Sequence, residues 1–341
     1  MPKRIDYLKK LYPLAFELQK MAPWEFMYER ELFGIQVPGS DEPWFASVMG
    51  STGEFLAVSL YEGVEAAHQF LRIQEDPVES DPMDIMLIPH LMVSFEQPHY
   101  METEDIDRLK ALGYSVRNKS RLPVFKEIVP GCIHILPEAD KLAQLEPLLK
   151  QVLNVADRVG RQEFAWVEHV PAGMNGLVRV PDGRTKSGWR DDYKDFELKP
   201  PPAVTPLSKK KLKLFNQLPT NNMVLQVGMV LVPSPIGDKH PPYFPFLLLL
   251  VEKESGYVLT PEMMTPHPGV KEMFARSGEK LIEYLTKQKI HPARIEYRSG
   301  RLEPILKATF KHTSVTLSKV QWMPAFDDAA ESMINHMIGG G

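Results

Sequence analysis

Lys209-Lys210-Lys211-Leu212-Lys213, with Phe215 close behind, is a dense basic run and a first pattern that could do chemistry. Clustered lysines meet phosphates, but single-strand binding grooves interleave their cations with stacking aromatics. One phenylalanine follows this run, so nucleic-acid binding stands as a third reading and is not favoured. Gly50-Ser51-Thr52-Gly53 has the composition of a phosphate-cradling loop. Such a loop opens a helix that carries Lys and a hydroxyl residue. Here residues 55–60 continue as strand, and a hairpin turn fits better. The ten histidines are scattered, with no i, i+4 pair beside a glutamate and no zinc-ligand spacing. His68 falls on the apolar face of a helical pattern and His134 alternates inside an apolar run, the positions of core histidines. No nucleophile elbow is legible. Cys132 lies in Cys132-Ile133-His134-Ile135-Leu136 and reads as a buried, reduced thiol.

These residues sit in a chain of 341, with 43% hydrophobic and 25% charged residues, the balance of a globular protein with room for two domains. The longest apolar stretch, residues 243–251, is about half of the ~20 residues a membrane helix needs, so no membrane partner is expected. The N-terminus turns polar at once and lacks an apolar signal region. A single cysteine rules out an internal disulfide framework and a Cys-rich zinc site. The expected location is cytoplasmic. The net charge of −4 divides unevenly: 23 basic and 32 acidic residues precede Ser208, and 17 basic and 12 acidic residues follow from there. Opposite signs could dock the halves or bring the second half to a polyanion.

The spacing predicts a helix over 3–21, with a kink or break at Pro13. Strands are expected at 32–37, 44–49 and 54–60, then a helix through Val64, Ala67, His68 and Leu71. A central strand is predicted over 84–95, with Pro89 forcing a bulge or an edge. A short helix opens at Thr103 and closes at Gly113. A strand over 132–136 leads to a long helix from Pro137, and residues 164–170 and 177–180 read as a hairpin. Residues 181–219 combine Pro200-Pro201-Pro202 with basic residues, the composition of a linker. The domain boundary is expected near 205, giving domains 1–205 and 206–341, the latter able to fold alone from about Ser208. Beyond it come strands at 223–232, 243–251 and 256–260, a helix at 272–285, a strand at 293–297, a helix at 302–310, a strand at 313–317 and a helix at 325–338. The predicted class is mixed α/β (α+β).

Two sets of motifs carry a resemblance. Ser47-Val48-Met49-Gly50, Leu60-Tyr61-Glu62-Gly63 and Pro89-His90-Leu91-Met92-Val93-Ser94-Phe95 mark the first half. Pro242-Tyr243-Phe244-Pro245-Phe246, Glu254-Ser255-Gly256 and Pro324-Ala325-Phe326-Asp327-Asp328 mark the second. Together they resemble an uncharacterised bacterial family of paired domains of unknown function. The element order after residue 242 also resembles, more distantly, the ribonuclease H-like fold of nucleases and integrases. That second resemblance implies an acid at the end of an early strand, matched by Glu252. It implies acids on the last helix, matched by Asp327, Asp328 and Glu331. It implies an acid after the fourth core strand, where Arg298 and Ser299 stand and Glu296 is the nearest carboxylate.

Two-metal phosphoryl transfer requires several carboxylates converging on cations about 4 Å apart. Under the enzyme reading Glu252, Glu296, Asp328 and Glu331 hold Mg²⁺ or Mn²⁺. Arg298 opposes it by competing with the metal. The preferred reading therefore assigns no catalytic residue, no metal and no cofactor. It gives the chain a non-catalytic binding or scaffolding role through a degenerate ribonuclease H-like domain, with the partner left open and a protein among the candidates.

Overall fold

The computed structural model describes residues 3–75, 82–117, 119–163, 174–196, 208–237 and 241–339. The chain forms two compact units. Met1–Glu75, Ile88–Val129 and His134–Lys199 make the first; Asp76–Leu87, Pro130–Ile133 and Pro200–Gly341 make the second. Each is mixed α/β, with a mixed sheet flanked by helices. The boundary expected near 205 and the strand expected over 164–170 lie outside the described residues.

In the first unit the order is α1 (Arg4–Met21), β1 (Phe33–Ile35), β2 (Trp44–Met49), β3 (Ala57–Glu62), α2 (Gly63–Glu75), β4 (His90–Glu96), α3 (Thr103–Ala111), β5 (Leu122–Ile128), α4 (Ala139–Gly160), β6 (Met174–Pro181) and β7 (Trp189–Phe196). Helical spacing brings Leu8, Leu11, Tyr12, Ala15 and Leu18 of α1 into one core with Leu145, Leu149 and Val152 of α4. α1 runs through Pro13, which lies on its exposed side, where the carbonyl freed by the missing N–H can meet water. The seven strands lie in the order β5-β4-β3-β2-β1-β6-β7. Among the described strands of this sheet only the β1–β6 pair is parallel.

Three sequence expectations change here. Residues 84–95 are not one strand: a 3-10 turn covers Pro82–Leu87, and β4 starts directly after Pro89. Pro89 lies between the turn and β4 and supplies no bulge inside a ladder. Residues 132–136 are not a strand but join neighbours through isolated bridges, Cys132 with Tyr243 and Glu127 with Ile135. Residues 189–196, read as linker, form β7 and pair with β6 along eight residues.

The second unit runs α5 (Lys209–Asn216), β8 (Val224–Leu231), β9 (Phe246–Glu252), β10 (Val258–Met264), α6 (Val270–Lys287), β11 (Arg294–Tyr297), α7 (Glu303–Phe310), β12 (Thr316–Lys319) and α8 (Pro324–Gly339). The expected order of three strands, helix, strand, helix, strand, helix is what the chain adopts after α5. Its five strands lie in the order β10-β9-β8-β11-β12. β9 is antiparallel to both neighbours, whereas β11 is parallel to β8 and to β12. Strand alternation gives each face its own core. Leu225, Val227, Leu248, Leu250 and Ile295 pack with Leu281, Ile282 and Leu306 of α6 and α7. Leu247, Leu249 and Val251 pack with Phe326, Ala329 and Ala330 of α8. Gly228 permits this second contact, since a Cβ there would stand 2.3 Å from Cζ of Phe326.

Candidate functional site

Gln226 is the one polar side chain in the inward run of β8 and is fully buried. A buried amide needs partners for both its ends. Parallel register sets it beside Glu296 of β11, to whose Oε2 its Nε2 donates at 3.1 Å. Its Oε1 accepts the backbone N–H of Phe326 at 3.0 Å. That N–H belongs to the first turn of α8, where no intrahelical carbonyl is available. One side chain thus ties two adjacent strands to the helix across them.

Glu296 is only 3% exposed. Its Oε1 accepts a hydrogen bond from Nζ of Lys253 at 2.8 Å. Burial alone would push its carboxyl up, but the hydrogen bonds from Lys253 and Gln226 and the Lys253 charge outweigh that, and the group is held below its ordinary value. The buried charge is therefore matched by an ammonium whose own side chain is half-exposed. Near the end of the same strand, the two terminal nitrogens of the Arg298 guanidinium clasp Asp327 at 2.9 and 3.1 Å. This bond fixes the end of β11 to the first turn of α8.

The four carboxylates of the enzyme reading do not share one face of the sheet. Glu252 closes its own turn: it accepts from the Ser255 N–H at 2.7 Å, the Ser255 hydroxyl at 2.5 Å and the Glu254 N–H at 3.2 Å. The Ser255 bonds hold it below the usual carboxylate range. By the pleat Glu252 follows Leu248 and Leu250, on the α6–α7 face, whereas Glu296 is bonded to Gln226, whose amide oxygen meets α8. Asp328 and Glu331 are exposed on α8, where Ala329 and Ala330 turn inward. Among the described residues no group of three or more His, Cys, Asp or Glu could hold a metal ion. Chemically, the site is a neutralised carboxylate locked by an amide. A cation entering it would have to displace Lys253.

Gln226 and Lys253 escaped the sequence reading. Gln226 had a signal, as a lone amide in the run Val224-Leu225-Gln226-Val227-Gly228. Lys253 had none, because its role depends on the register between β9, β8 and β11.

The first unit holds a second buried polar network. Nε of Arg179, a residue only 5% exposed, donates to Gln151 at 3.1 Å, and its guanidinium also meets Asp191. Arg158 clasps the same carboxylate at 2.6 and 3.0 Å. Hydrogen bonds from Arg158, with those of Arg179 added, keep Asp191 well below its ordinary value against the opposing effect of burial. The network joins α4 to β6 and β7, and each of its four side chains has a protein partner. His90 on β4 is also buried; burial pushes it down to about 4, against the hydrogen bond to the Ile88 carbonyl at 2.8 Å.

Fold and site together define a mixed α/β protein of two units, the second with a sheet-centred carboxylate already matched by a lysine. Residues 9–173 match the family model of a domain of unknown function (DUF7309), and residues 210–334 match that of another (DUF6930). The chain therefore carries two domains of unknown function in tandem, the pairing that its motifs resembled. Neither the curated proteins nor the solved structures give a match.

Proposed function

We propose that the second unit is a ribonuclease H-like binding module that does not carry out metal-dependent phosphoryl transfer. Its element order and its mixed five-stranded sheet support the fold reading. The observation that carries the functional reading is the engagement of Glu296, a central acid of the sheet, by Lys253 and Gln226. A two-cation site needs converging uncompensated oxygens. Here the nearest acid has a resident ammonium, and Asp327 has Arg298. The domain boundary is taken to fall near residue 205. The location is taken to be cytoplasmic, with which the free, buried thiol of Cys132 agrees, its pKa raised by burial.

The test is incubation with single- and double-stranded DNA and RNA in Mn²⁺, beside Glu252→Gln and Glu296→Gln variants and an EDTA control. The reading predicts no cleavage above the control in any arm. Metal-dependent cleavage by the wild type that either variant abolishes would overturn it and restore the enzyme reading.

A further inference from the structure

The lysine run that opens the second unit is not isolated once folded. α5 is short, and Phe215, fully buried, anchors it: its ring centroid lies 4.5 Å from that of His291 and 6.1 Å from that of Phe310. Asn216 Nδ2 donates to the His312 carbonyl at 2.9 Å. The backbone N–H of Asn221 donates to the His291 carbonyl at 2.9 Å. His291 itself bridges, with Nδ1 at 3.1 Å from the Leu218 carbonyl and Nε2 at 3.0 Å from Ser314 Oγ. Three segments are thereby stitched together where β8, β11 and β12 begin: α5 with its exit, the α6–β11 loop and the α7–β12 loop.

These segments share a composition. Residues 208–237, 284–295 and 304–326 contain no Asp or Glu. Lys209, Lys210, Lys213, Lys287, Lys289 and Lys311 are all exposed, and none makes an ion pair with a described residue. The acids bordering the patch are already engaged: Glu279 and Glu283 by Lys211, and Glu303 by Lys307 and Lys319. Six ammonium groups without an acidic partner, carried on three segments that are stitched together, suit a polyanion better than a single phosphate.

We infer that this end of the second unit binds the phosphate backbone of a double-stranded nucleic acid, without reading its sequence. The chemistry selects the partner. Lysines are point charges suited to backbone contact. Leu214 is the only large apolar residue exposed among 208–219, 286–291 and 310–314. That leaves no aromatic platform for unstacked bases and no apolar face for insertion into a bilayer. The inference names a partner for the binding module proposed above and rests on that reading. It uses a different surface from the Glu296 cluster.

The experiment is fluorescence polarisation of the full chain with a labelled 20-base-pair duplex of arbitrary sequence, in EDTA, across a salt series. With about five phosphates neutralised, log K should fall against log salt with a slope of about −4 to −5, or some 10²–10³-fold between 50 and 200 mM. Lys209→Gln/Lys210→Gln/Lys213→Gln should flatten the slope by about 3. Lys289→Gln/Lys311→Gln should flatten it by about 2. All these side chains are exposed, so thermal unfolding should not move. No binding at 50 mM salt would overturn the inference, as would an unchanged slope in the second variant, which would leave the α5 run acting alone. Tighter binding to phosphatidylserine vesicles than to the duplex would also overturn it. Cutting of the duplex when Mn²⁺ replaces EDTA would refute the non-catalytic reading while leaving the binding result standing.

Discussion

Glu296 and Lys253 are unequal partners, and that asymmetry is testable at the level of single residues. Glu296 is 3% exposed, whereas the side chain of Lys253 is 46% exposed. Removing the lysine strands a buried carboxylate; removing the carboxylate lets the lysine return to water. Lys253→Ala should therefore cost about 1–3 kcal/mol and Glu296→Gln less, by urea denaturation at pH 7. Equal costs would contradict the burial argument. Asp191→Asn in the first unit should be costlier, about 3 kcal/mol, because it leaves the buried Arg179 with only Gln151. His90 sets a pH dependence of its own. Its folded pKa of about 4 lies below the unfolded value near 6.5. Its contribution is complete above about 6.5 and is lost as pH falls toward 4, at up to about 1.4 kcal/mol per unit. His90→Gln should flatten that slope between pH 6.5 and 4.5; an identical slope in the variant would show that burial does not hold His90 neutral.

Among the elements, α8 is placed by two contacts of different kinds. Phe326 lies on Gly228, and the Phe326 N–H meets Gln226. Gly228→Ala would drive a methyl into the Phe326 ring, and backbone or helix must shift, at about 1–3 kcal/mol. The double variant Gly228→Ala/Phe326→Leu should recover part of that loss in thermal unfolding; no recovery would mean that Phe326 does not limit the space. The sequence made α6, α7 and α8 legible because their apolar spacing is that of a helix and their inward faces are continuous. It hid β7, whose Trp189, Asp191, Tyr193 and Asp195 alternate with charged residues, so that neither periodicity nor hydropathy marks a strand. It overstated residues 132–136, where an apolar run serves a connection with single bridges. The acids were legible as residue types, but not the faces they take. Glu252 and Glu296 separate by the pleat, and pleat parity depends on a register that only the assembled sheet fixes.

For the whole molecule, the division into units does not follow the chain in one cut. The second unit takes residues 76–87 and 130–133 from the first half of the sequence. Leu87 belongs to its main core, Asp84 pairs with Arg301 at 2.9 Å, and a Cβ on Gly131 would stand 2.8 Å from Pro266. A fragment from Ser208 to Gly341, expected from sequence to fold alone, lacks all three contacts. Its thermal transition should fall below that of the same unit in the full chain, and Leu87→Ala in the full chain should cost about 2–3 kcal/mol. A fragment as stable as the intact unit would show those segments to be dispensable. Composition foretold two domains and the charge asymmetry between the halves. It could not foretell that three acid-free segments meet at one end of a sheet, since their proximity is a product of topology. The carboxylate at the heart of the second sheet is bonded to Lys253, and the proposed function requires that it hold no metal. Mn²⁺ titration of the full chain by calorimetry, with Glu296→Gln alongside, tests it most directly. No stoichiometric Mn²⁺ site is expected in either protein. One or two tightly bound Mn²⁺ ions in the wild type, lost in Glu296→Gln, would contradict it.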